Sequence, residues 1–217
     1  MLGTVACAPM TDSPHPLAAV LHAAVEGRFP AADGTVRAVP AFGDVHAVVA
    51  FSAHTLLLTD RSPAEIAERG IDAYGGSLHP SHQQWLADGR QIGSIDVVLA
   101  ARASGTTNLA RIDSTHPRAE RARLHRRDVQ VLSDERGLVT IGRGLADRWE
   151  ISVELFDGTE HGRGTGRSLI AAGLAAAPGG EWVWAQVAAG NASSLRAFLA
   201  AGFTPICSEV LFTHHAD

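Results

Sequence analysis

The sequence predicts an α/β chain built on a mixed, mostly antiparallel central sheet flanked by helices, and three observations predict it. First, three apolar runs, Asp128 to Leu132, Leu138 to Arg143 and Arg148 to Phe156, follow one another closely. Turn residues separate them, Asp134-Glu135-Arg136-Gly137 and then Gly144 to Asp147, so an antiparallel meander is the simplest pairing. Second, the last run leads into His161-Gly162-Arg163-Gly164-Thr165-Gly166-Arg167 and then into an apolar helical stretch, Ser168 to Ala176, stopped by Pro178-Gly179-Gly180. Third, strand and helix patterns then alternate to the end: Trp182 to Val187 extended, Ser193 to Ala201 helical, Phe203 to Phe212 extended.

The earlier half is read in the same way. The first 16 residues form a proline-punctuated tail, with Pro9, Pro14 and Pro16. Leu17 to Val25 is apolar enough for a short helix that stops at Gly27 and Pro30. Thr35 to Val39 and Val45 to Thr59, divided by Pro40 and Gly43, predict a hairpin with one long strand. Ser62-Pro63-Ala64-Glu65 starts a helix, because the serine hydroxyl caps free N–H groups and proline suits the first helical position. That helix is expected to run to Gly75-Gly76. A short helix around Gln83 to Ala87, a strand from Ile95 to Ala101 and a loop from Ser104 to Thr107 complete this half. From Pro117, a helix carries Arg118, Arg121, Arg123, Arg126 and Arg127. Such a run is either an anion-binding patch or, more commonly, a solvated face.

Composition narrows the function. The chain has 217 residues, 46% hydrophobic and 19% charged, with formal charge −5 at pH 7. That supports a real core and argues against a basic field drawing the chain to nucleic acid or an anionic membrane. No basic segment precedes a long apolar run, so neither a signal peptide nor a membrane span is expected. Cys7 and Cys207 are too few and too far apart for a disulfide framework or a zinc site, which suits two free thiols in a reducing compartment, the cytoplasm. No metal site is expected: His79 and His82 lack a third ligand, and His214-His215 lie in a terminal tail. His54 sits in an apolar strand, as a core or cleft histidine. All 18 basic residues are arginine, which excludes Schiff-base chemistry and a lysine-bearing phosphate loop.

A strand that enters a glycine turn and then a helix presents unpaired backbone N–H groups and the positive end of a helix dipole. Such a turn suits a pyrophosphate. Glycines without Cβ atoms, Gly162, Gly164 and Gly166 here, let phosphate oxygens approach the backbone closely.

The order of elements, with His161-Gly162-Arg163-Gly164-Thr165-Gly166 and the run Asn191-Ala192-Ser193-Ser194-Leu195-Arg196-Ala197-Phe198 to Gly202-Phe203, resembles the GCN5-related N-acetyltransferase superfamily. The first motif matches the family's Q/R-x-x-G-x-G/A and the second its N-x-x-(small)-x-x-x-Y-x-x-x-G-F. The likeness covers the C-terminal 90 residues or so and extends loosely back to residue 91. It implies an acetyltransferase core over 91–217 and leaves 17–90 as an N-terminal subdomain, with half of a degenerate tandem repeat of the same fold as one reading of it. It also implies acetyl-coenzyme A as donor, a small-molecule amine, an amino acid or a peptide amine as acceptor, and direct transfer in a ternary complex. Homodimers are common in the family. The pyrophosphate would lie along His161, Gly162, Arg163, Gly164, Thr165, Gly166 and Arg167. The pantetheine arm would pair with backbone near Leu155 and Phe156, where one amide would polarise the thioester carbonyl. Asn191 would contact the cofactor, or simply cap the last helix.

Two positions depart from the pattern. His161 stands where Gln or Arg is usual, and Phe198 where many members carry the tyrosine that protonates the departing thiolate. Amine acylation also needs a base. Alternation puts Ile151, Val153 and Leu155 on one face of their strand and Glu150, Ser152 and Glu154 on the other. If the apolar face packs under the following helix, Glu154 and Glu150 face the acceptor cleft as candidate bases. A catalytically degenerate acyl-coenzyme A binder, a sensor or interaction module, is the alternative that Phe198 motivates.

Overall fold

The computed structural model describes residues 13–157 and 164–214. Helix α1 (Pro16–Val25) is followed by strands β1 (Thr35–Val39), β2 (His46–Phe51) and β3 (His54–Leu58), then by helices α2 (Pro63–Glu68) and α3 (Pro80–Ala87). Strands β4 (Gln91–Ile92), β5 (Asp96–Arg102) and β6 (Ala110–Ile112) lead to α4 (Pro117–His125). The second half is β7 (Arg127–Asp134), β8 (Gly137–Arg143), β9 (Trp149–Leu155), α5 (Thr165–Leu174), β10 (Trp182–Ala188), α6 (Ala192–Ala200) and β11 (Thr204–Thr213).

Among the described residues one sheet takes in all eleven strands, in the order β1-β3-β2-β11-β5-β10-β9-β8-β7-β6, with β4 beside β11. Its ladders are antiparallel except for β1 with β3 and β9 with β10. The mixed, mostly antiparallel sheet flanked by helices is therefore what the chain adopts. The predicted meander is present as β7, β8 and β9, paired in sequence. No helix among the described residues is long and apolar enough to cross a membrane.

The N-terminal prediction needs correcting. The run from Val45 to Thr59 is two strands, β2 and β3, which reverse over Ser52-Ala53 and pair as the hairpin. Ala53 takes a positive φ of 49° there, a conformation that neither Ser nor Ala signals in sequence. Strand β1 pairs parallel to β3 and does not belong to that hairpin. Helix α2 has the predicted start, since Ser62 and Glu65 form a reciprocal capping box. It stops at Glu68, well short of Gly75, because Gly70 turns the backbone to φ 70°.

The sheet is covered on both faces. On one, α5 and α6 bury Leu169, Ile170, Leu174 and Phe198 against Val139, Ile141, Ile151, Val183 and Ala185. Burying each such aliphatic side chain contributes about 1.5–3 kcal/mol. Further along that face Ile66 and Leu86, from α2 and α3, pack on Val48, Leu57, Val210 and Phe212. The opposite face carries α1, with Leu17 and Leu21 on Val49, Val98, Ala100 and Trp184. Helix α4 lies near β7, β8 and β9. A Cβ at Gly173 would come within 2.6 Å of Val139 and 2.9 Å of Ile151, so α5 can lie this close to the meander only with glycine there.

Candidate functional site

The site forms where two parallel strands part. β10 pairs with β9 at Val183 with Trp149 and at Trp184 with Glu150. Beyond that point β10 continues on β5, and β9 continues on β8 up to Leu155. The Phe156 N–H donates to the Arg136 carbonyl at 3.1 Å, so the even-numbered residues of β9 turn their backbone groups towards β8. By the same alternation Ile151, Val153 and Leu155 turn theirs into the gap facing β10. A wedge opens there, lined on one side by strand backbone.

The two faces of β9 differ as expected. Ile151 is buried under α5, and Leu155 and Val153 pack against the same cluster. Glu150, Ser152 and Glu154 lie on the α4 face, where Ser152 and Thr140 hydroxyls are 2.6 Å apart. Arg126 reaches both hydroxyls at 3.3 Å.

Glu150 does not face an open cleft, which corrects that expectation. It is 4% exposed and sits at the apex of the wedge. Oε1 accepts from Arg148 Nε at 2.8 Å, Gln186 Nε2 at 2.8 Å and the Leu145 N–H at 3.2 Å. Oε2 accepts from Arg126 Nε at 3.0 Å. Burial alone would raise its pKa, but the Arg148 and Arg126 guanidiniums, with the Arg148 and Gln186 hydrogen bonds, outweigh burial and hold the carboxyl below its usual range. A carboxylate so fully engaged is a poor proton acceptor. Arg148 extends the network to Glu209 on β11, at 2.7 and 3.0 Å. A Cβ on Gly144 would fall 2.2 Å from the Glu150 carboxyl carbon, so the glycine makes room for this network.

Glu154 stands nearer the open end. Arg118, from the first turn of α4, donates to its Oε2 from Nε at 2.9 Å and from Nη2 at 2.6 Å. The start of α4 lies over this end of β9, with the His116 ring 6.3 Å from that of Phe156.

Four arginines of the run thus resolve into ion pairs. Arg118 holds Glu154, Arg126 holds Glu150, Arg127 holds Asp147, and Arg123 holds Glu120 and Asp113. Sequence reasoning placed these arginines on one helix and its exit, but it could not show that Arg118 and Arg126 turn inward to the strand carrying both glutamates.

The remaining predicted residues divide as follows. His161, Gly162 and Arg163 lie outside the described residues. Gly164 precedes α5 with φ 85°, a left-handed conformation that explains glycine without any ligand. Thr165, Gly166 and Arg167 form the first turn of α5. A Cβ on Gly166 would meet Ala197 and Leu155 at 3.8 Å, ordinary contact, so packing within the chain does not require glycine there. Asn191 caps α6, its Oδ1 accepting from the Ser194 N–H at 3.1 Å. The Phe156 amide, already donated to Arg136, is not free to polarise a carbonyl. Leu155 has its N–H on the gap side. Phe198 is 4% exposed and edge-on to Phe203, 5.0 Å between centroids.

Gln186 and Arg148 carry little signal in the sequence. Each is a polar residue beside a strand of apolar neighbours, Gln186 within β10 and Arg148 just ahead of β9, a weak signal of a buried partner. Among the described residues no group of three or more His, Cys, Asp or Glu side chains is placed to hold a metal ion.

Three solved structures that resemble this chain are described as acetyltransferases of the GNAT family, one of them provisionally. One, from Colwellia psychrerythraea, is 9% identical over 61% of this chain and 61% of its own, with a TM-score of 0.38. One from Kribbella flavida, a GCN5-related N-acetyltransferase, is 14% identical over 63% and 65%, with a TM-score of 0.34. A chain of the same family from Novosphingobium aromaticivorans is 20% identical over 59% and 69%, with a TM-score of 0.38. The matches thus span 61–69% of those chains. Superpositions this loose carry no conclusion about activity. No protein-family model and no curated protein matches the sequence.

Proposed function

We propose that this protein binds acetyl-coenzyme A in the wedge between β9 and β10 and transfers the acetyl group to the amine of a small molecule, an amino acid or a peptide. The observation that carries the reading is the parting of two parallel strands after Glu150, with Gly164 in a left-handed conformation at the start of α5. An extended, amide-bearing pantetheine arm can pair with gap-facing backbone as an added strand would. The Leu155 N–H, or that of Val153, would meet the thioester carbonyl and stabilise the oxyanion. The first turn of α5 favours a pyrophosphate by its amides and dipole, and the room at Gly166 lets one approach.

In the transfer the acceptor ammonium gives up one proton to Glu154, directly or through water, and its nitrogen adds to the thioester carbonyl to form the C–N bond. Collapse of the oxyanion then breaks the C–S bond, and the nitrogen sheds its second proton to water. The electron pair of that bond leaves on sulfur. Phe198 has no proton for the thiolate, which takes one from water; with a thiol pKa near 8.5 it is a tolerable leaving group.

Calorimetric titration with acetyl-coenzyme A tests binding, and Gly164→Glu tests its place. Wild type should bind and the variant should not, since a carboxylate at a φ of 85° is both strained and repelled by phosphate. Equal binding by both would remove the glycine turn from the site.

A second reading has its own support. Glu150 is engaged, Glu154 is paired and Phe198 lacks a hydroxyl, as suits a protein that binds acyl-coenzyme A without turning it over. Release of free coenzyme A with an amine panel separates the two.

A further inference from the structure

The charges around the wedge fall into two sets of different character. The deep set, Arg126, Arg148, Glu150 and Glu209, has two charges of each sign, and its side chains are at most 11% exposed. Removing one member would strand another in a low-dielectric interior, so this set is fixed in place. The outer set is one pair. Arg118 and Glu154 are 37% and 38% exposed, joined through Oε2, with no donor among the described residues on Oε1. A pair in contact with water is held weakly, by about 0–1 kcal/mol, and exchanges partners readily.

That outer pair selects the kind of amine that can react. A bare amine arrives as an ammonium ion, competes with Arg118 for Glu154 and leaves a guanidinium with nothing to bind. A molecule carrying a carboxylate beside its ammonium replaces both halves of the pair. The guanidinium also matches a carboxylate in shape, two N–H groups to two oxygens. The positive start of α4 adds to the field at the same place.

We propose that Arg118 and Glu154 together receive a zwitterionic acceptor, an α-amino acid, whose carboxylate draws Arg118 away and so frees Glu154 to take the ammonium proton. This rests on the acetyl-transfer reading above and names its substrate class. Arg118 is a specificity and positioning residue in it, and the pair works as a gate. Until a carboxylate arrives, Arg118 holds Oε2 of the base. Once it arrives, one proton moves from the ammonium to Glu154, the nitrogen lone pair adds to the thioester carbonyl to form the C–N bond, the C–S electron pair leaves as thiolate, and the nitrogen's second proton passes to water.

The test measures coenzyme A release by the full chain with a panel of α-amino acids, each set against its decarboxylated amine. Acetyl-coenzyme A affinity is followed separately by calorimetry for wild type, Arg118→Gln and Arg118→Lys, with thermal melts to confirm folding. Wild type should favour the amino acid of at least one pair. Arg118→Gln should bind acetyl-coenzyme A as wild type does yet lose roughly tenfold or more in kcat/KM for the amino acid, chiefly through KM, and with it the preference over the amine. Arg118→Lys, which keeps the charge without the fork, should fall between. Equal use of both members of every pair by wild type, or a preference that survives in Arg118→Gln, overturns the proposal and leaves acetyl transfer standing. Binding of acetyl-coenzyme A with no transfer to any member overturns it in favour of a binder without turnover. Absence of acetyl-coenzyme A binding overturns the transfer reading and this proposal together.

Discussion

Glu150 shows how one residue can look catalytic in sequence and be architectural in the fold. Its strand position matched a base facing a cleft, but four donors surround it and two guanidiniums hold its charge. Glu150→Gln leaves Arg148 and Arg126 short of a counter-charge, and the expected cost is about 3–5 kcal/mol, read from urea unfolding. A change below about 1 kcal/mol would mean that the network contributes little. Phe198 makes the converse case. Phe198→Tyr adds a hydroxyl in a packed interior, and about 1–3 kcal/mol of destabilisation is expected unless the new group finds a partner. If the variant instead raised turnover of bound acetyl-coenzyme A, its hydroxyl would be reaching the thiolate, and the edge-to-face packing on Phe203 would not describe the working state.

At the scale of the element, α5 matters most, because its depth on the meander sets where the first helical turn meets the wedge. Gly173 sets that depth. Gly173→Val should push the helix outward and cost about 1–3 kcal/mol through overpacking, with weaker acetyl-coenzyme A binding as the functional readout. Unchanged affinity in a destabilised Gly173→Val would show that the donor does not depend on the placing of α5. Sequence pattern predicted α5, α6 and the three strands of the meander because each follows a period, 3.6 or 2, set by local geometry. It missed the β2–β3 reversal because Ser52-Ala53 carries no turn signal. It missed the engagement of the arginine run because whether a helix side chain faces solvent or a strand is settled by neighbours distant in sequence.

For the whole molecule, the Arg148–Glu209 contact ties β9 to β11 across β10 and β5, joining strands about 60 residues apart. Its acid partner Glu150 has a folded-state pKa below the unfolded one, so it contributes stability above the unfolded value, about 4.3, and loses it as pH falls through the folded value. Asp134, whose carboxyl is held down first by its hydrogen bond from Arg136, acts in the same direction. Unfolding free energy should therefore decline on acidification below about pH 4.3, and less steeply in Glu150→Gln. Parallel acid limbs for wild type and variant would place the acid sensitivity elsewhere.

The sequence by itself determined the local matters: the strands of the meander, the helices α5 and α6, the capped start of α2 at Ser62, the alternation along β9 and a glycine-rich approach to α5. These follow from backbone geometry and side-chain periodicity within a few residues. Only the tertiary structure decided that β5 lies between β10 and β11, that β9 and β10 part after Glu150, and that Glu150 is closed while Glu154 stays half open. Those depend on which distant segments pack together. The free energy of a buried charge or an unpaired strand edge is set by such neighbours and leaves no periodic mark in the chain.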